Sequence, residues 1–175
     1  MSDIDRTSIT FPAGDGWSLR GTLLKPEGAT RLGVLISSGT GFPRRYYRPV
    51  GEHFARRGAM VLIYDYRGIG GAAGDDLGGS GIDLTDWGRH DMPAALEALA
   101  AAAPDVPLVH LAHSVGGQFV GLMPNHERLS RHAFVAVGSG YWGRHHLRNI
   151  PLELYFWWIL GPISLLRWGY LKPVG

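Results

Sequence analysis

The sequence contains no cysteine. That excludes disulfides and thiolate metal sites, and it is compatible with a reducing compartment. Charge is scarce as well: 18% of the 175 residues are charged, and the formal net charge is +2. The sequence pI near 9.1 reflects a small excess of Lys and Arg with no concentrated basic stripe. The densest basic stretch, Arg44-Arg45 with Arg48, is too short to suggest a nucleic-acid surface, so no nucleic-acid partner is expected. The opening "MSDIDRTSIT" lacks the basic start and apolar core of a signal peptide, and the expected location is the cytoplasm. Long uninterrupted apolar runs are missing too. A membrane span needs about 20 such residues. Residues 154–166 carry no charge, but Gly161-Pro162 interrupts them and Arg167 follows.

What is present is enough apolar material, 45% of the residues, for one buried core. "RTSITFPAGDGWSLRGTLLKP" (6–26) alternates around a Gly-Asp-Gly turn and predicts a hairpin. "RLGVLISSGTG" (31–41), "MVLIYDYRG" (60–68), "VPLVHLAHS" (106–114) and "RHAFVAVGSG" (131–140) are nearly continuous apolar runs, as strands buried on both faces read. Helical spacing over 44–59, 85–104 and 115–123 fills the intervals. Residues 67–81 hold seven glycines without periodicity and must form a long loop. Alternating strands and helices predict an α/β fold with a mostly parallel sheet behind an antiparallel hairpin.

The chemistry is suggested by "HLAHSVGGQF" (110–119). A serine hydroxyl is a weak nucleophile unless it is exposed, oriented and deprotonated by a base. A sharp strand-to-helix turn exposes it, and small residues two before and two after are required because the backbone folds tightly. Ala112 and Gly116 occupy those positions around Ser114, giving A-x-S-x-G where the usual pattern is G-x-S-x-G. The plainer alternative is that Ser114 caps the helix that follows. Acyl transfer also needs donors for the oxyanion. The backbone N–H of Val115 is one candidate. The other should come from "SSGTGFP" (37–43), with Thr40 nominated and Gly41 the close alternative. A rival motif, "GIGGAA" (68–73), fits a dinucleotide fingerprint, but "GDDLGGSG" follows where a helix should open. No His and carboxylate pair shows metal-ligand spacing, and no cofactor is expected.

These motifs together resemble an α/β-hydrolase, nearest to the serine-aminopeptidase-like and lysophospholipase-like branch. "VLISSGTGFPRRYYRPVGEHFARRG" resembles the family's oxyanion strand and first helix. "VLIYDYRGIGG" resembles its D-Y-R-G-x-G strand and loop, "DWGRHDMPAALEAL" the following helix, and "LAHSVGGQ" the nucleophile elbow. The resemblance covers residues 6 to about 140. It implies an acyl-serine hydrolase acting on a small-molecule ester, thioester or amide, with Ser114 as nucleophile and Thr40 and Val115 as oxyanion donors. It also implies that Asp65 is a structural acid bracing loops with Arg67. In this fold the acid and histidine follow the serine. The eight histidines lie at 53, 90, 110, 113, 126, 132, 145 and 146, none at the family's late position. His145 and His146 read as solvated loop residues.

The chain is therefore expected to be a C-terminally truncated hydrolase with little activity alone. Residues 1–140 would be the core and 141–175 the start of an apolar lid. The tail "PLELYFWWILGPISLLRWGYLKPVG" reads as two short helices separated by a Gly-Pro bend. Contact with a membrane surface or self-association through residues 151–171 is expected of it. The alternative is a non-catalytic remnant that binds a lipid or protein partner through that tail.

Overall fold

A computed structural model describes residues 4–139, 141, 143 and 146–169. The chain divides into two compact units, residues 1–74 with 82–137, and residues 75–81 with 138–175.

The larger unit is built on a six-stranded sheet of order β1-β2-β4-β3-β5-β6. β1 (Asp5–Pro12) and β2 (Ser18–Lys25) form the antiparallel hairpin. Its turn closes through the Ala13 N–H and Trp17 C=O at 2.7 Å, and Gly16 takes a φ of 89° there. β2 pairs antiparallel with β4 (Ala59–Asp65), whose seven residues are all buried. β3 (Leu32–Ser37), β4, β5 (Leu108–His113) and β6 (Leu129–Val135) run parallel. This is the expected α/β-hydrolase sheet, with the hairpin at one edge and β6 at the other.

Alternation along the strands sends successive side chains to opposite faces. On one face Leu35, Leu62 and Tyr64 pack with Met92, Leu96 and Leu99. The last three belong to α2 (Met92–Ala102), which continues a π-helical turn at Trp87–Asp91. On the other face Val34, Ile36, Val61 and Ile63 pack with Tyr47 and Ala55. Ala55 ends α1 (Arg48–Ala55), and Tyr47 ends the 3-10 turn Arg44–Tyr47 that precedes it. α3 (Val115–Gln118) is shorter than its sequence suggests, because the backbone changes to a 3-10 turn at Val120–Leu122. The glycine-rich stretch after β4 carries only a three-residue 3-10 turn, Gly70–Ala72, and no helix opens there to meet a pyrophosphate.

In the smaller unit α4 (Ile150–Tyr155) passes into a π-helical turn, Phe156–Leu160, and then α5 (Gly161–Trp168). The expected Gly-Pro bend is not there: Gly161 keeps a right-handed helical backbone at φ −58°. Pro162 falls in the first turn of α5, where its missing N–H is tolerated, and the π turn before it absorbs the change in hydrogen bonding. Among the described residues no helix is long and apolar enough to cross a membrane.

Candidate active site

Ser114 joins β5 to α3 with φ 51° and ψ −118°, a conformation that costs a non-glycine residue on the order of 1–3 kcal/mol. Three constraints hold it. Its N–H donates to the Val135 carbonyl at 3.0 Å. Ala112, two residues earlier, is fully buried between Ser37 of β3 and Phe134 of β6. Two residues later, a Cβ on Gly116 would lie 2.8 Å from the Ser37 carbonyl oxygen, so only glycine lets α3 approach β3 this closely. The small residues that the sequence singled out are thus steric requirements of the turn. The Ser114 side chain makes no capping hydrogen bond, and its hydroxyl has no partner among the described residues. It is partly exposed, so it is reachable and uncommitted.

The loop after β3 lies against it. A Cβ on Gly39 would sit 3.3 Å from the Ser114 Cβ and 2.8 Å from the His113 Nδ1. The Gly39 N–H is already spoken for, donating to the Tyr47 hydroxyl at 2.8 Å. That leaves Thr40 and Gly41, the latter at φ 78°, as the loop's available donors. Val115 is the first residue of α3, so its N–H has no acceptor within the helix. The structure therefore brings Ser114, Val115 and the Thr40–Gly41 loop to one end of the sheet.

His113 is turned to a different task. Its Nδ1 lies 2.7 Å from the Tyr47 hydroxyl, so Tyr47 links the loop after β3 to the residue before the serine. Burial raises the Tyr47 pKa, which keeps the phenol protonated. Tyr47 falls within the helical spacing of 44–59, and nothing local in the sequence marks its two polar partners. A second polar group beneath the turn was missed as well. Ser37 Oγ lies 2.9 Å from the Tyr64 hydroxyl and 2.7 Å from His110 Nε2, and His110 Nδ1 lies 3.2 Å from His132 Nδ1. Burial, with a smaller repulsion from His132, pulls the His110 pKa down to about 3. The imidazole is therefore neutral at physiological pH.

The expected partnership of Asp65 with Arg67 is corrected. Asp65 accepts from the Arg44 N–H at 2.6 Å, the Gly71 N–H at 2.9 Å and the Arg44 guanidinium. Its location at the end of β4 brings it to the 3-10 turn Arg44–Tyr47. Arg67, one further turn along, is buried among other acids. It binds Asp91 through its backbone N–H and Nε, both at 2.8 Å, and clamps Asp15 at 2.5 and 2.9 Å. The Arg67 bonds lower the Asp15 pKa to about 2 against a smaller effect of burial. Asp83 caps its own turn through Thr85, and Asp86 sits 3.5 Å from Arg67. No histidine or carboxylate contacts the Ser114 hydroxyl among the described residues. His145 lies outside them, and His146 belongs to the smaller unit, where its side chain caps a 3-10 turn. No group of three metal-ligating side chains is found among the described residues.

A family model described as serine aminopeptidase, S33, matches residues 28–167. No curated protein sequence matches the chain. Solved structures do. A thermostable carboxyl esterase from Bacillus coagulans superposes with a TM-score of 0.69 at 20% identity, over 97% of this chain and 56% of its own. A cold-adapted esterase from an Arctic intertidal metagenomic library gives 0.62 at 20%, over 79% and 63%. A serine hydrolase without a lid from Xanthomonas campestris gives 0.63 at 16%, over 81% and 66%. At such identities the likeness shows the fold. The chain spans between 56% and 66% of the length of these solved chains.

Proposed function

The chain belongs to the serine aminopeptidase S33 family, and on that premise we propose that it carries the nucleophile half of a serine hydrolase site. The substrate class is a small-molecule carboxylic ester, thioester or amide. The observation that carries this reading is Ser114 itself: a strained turn, an uncommitted hydroxyl, and backbone donors gathered beside it. In the reaction Ser114 Oγ attacks the carbonyl carbon and its proton passes to a base. The N–H groups of Val115 and Thr40, or Gly41 in place of Thr40, hold the negative oxygen of the tetrahedral intermediate. Collapse expels the alcohol, thiol or amine, which takes up the proton, and water then hydrolyses the acyl-serine.

On this reading the chain alone is expected to turn over slowly. A site reduced to its oxyanion donors and binding surface retains roughly 10³–10⁴-fold over water. Added imidazole supplies the missing base. With p-nitrophenyl acetate, wild type should show a slow rate that imidazole raises beyond its effect on Ser114→Ala. Equal imidazole effects on both proteins, or a basal rate untouched by Ser114→Ala, would remove Ser114 from the chemistry.

A further inference from the structure

Arg45 and Arg48 have no role in the proposed acyl transfer, yet with Arg44 they border a cavity of about 430 Å³. Arg6 and Ser8 of β1, Thr22 of β2, and Arg44, Arg45 and Arg48 line it. The floor is a row across the sheet: Ser8 pairs with Thr22, and Thr22 with Ile63 of β4. Arg6 lies two residues before Ser8 and so projects from the same face. Neither Ser114, Val115 nor Thr40 borders this space.

Charge and geometry both favour an anion there. Asp65 also borders the cavity, but its carboxylate is already engaged by Arg44 and the Gly71 N–H. Glu52 of α1 receives Arg6 at 3.0 Å and Arg56 at 3.3 Å, with Arg48 at 3.9 Å. Arg6, Arg44, Arg45 and Arg48 border the cavity; among the described residues the carboxylates beside them, Asp65 and Glu52, are already engaged, and Arg45 is exposed and ion-paired to neither. Arg44 is held in place, its Nε on the Thr22 hydroxyl at 3.2 Å and Nη1 on Asp65. A guanidinium has five N–H donors, so these two bonds do not exhaust them. Planar guanidinium forks match the oxygen spacing of phosphate better than a lone ammonium does.

We propose that this cavity binds a phosphate ester or pyrophosphate group carrying at least two negative charges. The serine hydroxyl of Ser8 and the arginines of the 44–48 turn are its ligands. The phosphate belongs either to a soluble phosphorylated compound or to a lipid headgroup. The test titrates inorganic pyrophosphate into the full chain by calorimetry. Saturable binding should weaken on raising salt and fall roughly tenfold or more in Arg45→Glu. Arg45 is exposed, so that variant should fold; Arg45→Ala gives the same direction with a smaller change. Ser114→Ala should bind pyrophosphate as wild type does. Phosphatidylcholine vesicles doped with phosphatidic acid separate the two sources. Association that pyrophosphate displaces assigns a lipid headgroup, and pyrophosphate binding without vesicle association assigns a soluble ligand. Absence of saturable pyrophosphate binding, or binding undiminished in Arg45→Glu, overturns the site.

Discussion

Ser114 keeps its left-handed backbone because its neighbours leave it no alternative. Ala112 is locked between two strands, and Gly116 is pressed against Ser37. That part of the site was legible in the sequence, since steric crowding restricts residue size at fixed offsets along the chain. Tyr47 was not legible. Its polar partners, Gly39 and His113, are 8 and 66 residues away, and only the fold brings them together. Asp65 shows the same limit: its position at a strand end could be read, but its partner Arg44 could not. Tyr47→Phe keeps the apolar ring and deletes the hydroxyl, which leaves the buried Gly39 N–H without an acceptor. The expected cost is about 1–3 kcal/mol in urea unfolding. An unchanged midpoint would mean that the loop does not depend on Tyr47.

The strands were the most readable elements, because a strand buried on both faces is a short apolar run bounded by glycine and serine. Helix ends were less so. The runs expected over 85–104 and 115–123 both contain non-α turns, where packing on the sheet overrides local propensity. Within β5, His110 faces inward in a run that otherwise reads as apolar. Its folded-state pKa of about 3 lies below the ordinary 6.5, so between these values the unfolded chain binds the extra proton. Stability is therefore complete above pH 6.5 and is lost progressively as pH falls toward 3. His132, whose pKa is also lowered by burial, adds a loss of the same sign. Urea midpoints of wild type should drop between pH 7 and 5, with a shallower drop in His110→Gln. Parallel curves for the two proteins would place the titration elsewhere.

One edge of the sheet is β6, where Phe134 and Val135 are 55% and 49% exposed, and Val137 just beyond it is 36% exposed. In the smaller unit Trp157 and Trp158 are 61% and 76% exposed. Apolar surface on an edge strand is a template for pairing with another chain. Light scattering after size-exclusion chromatography, without detergent, should find oligomers that Val135→Lys reduces. A monodisperse monomer of wild type would remove the edge as a contact. Acyl transfer to Ser114 is tested most directly on the 175-residue chain itself. A base serves acylation and deacylation alike, so an acyl-serine formed slowly without one should also persist. Intact-protein mass spectrometry after long incubation with p-nitrophenyl acetate, followed by peptide mapping, should find one acetyl group on Ser114. That adduct should be absent in Ser114→Ala. Acetylation of lysines and histidines with Ser114 unmodified would contradict the account.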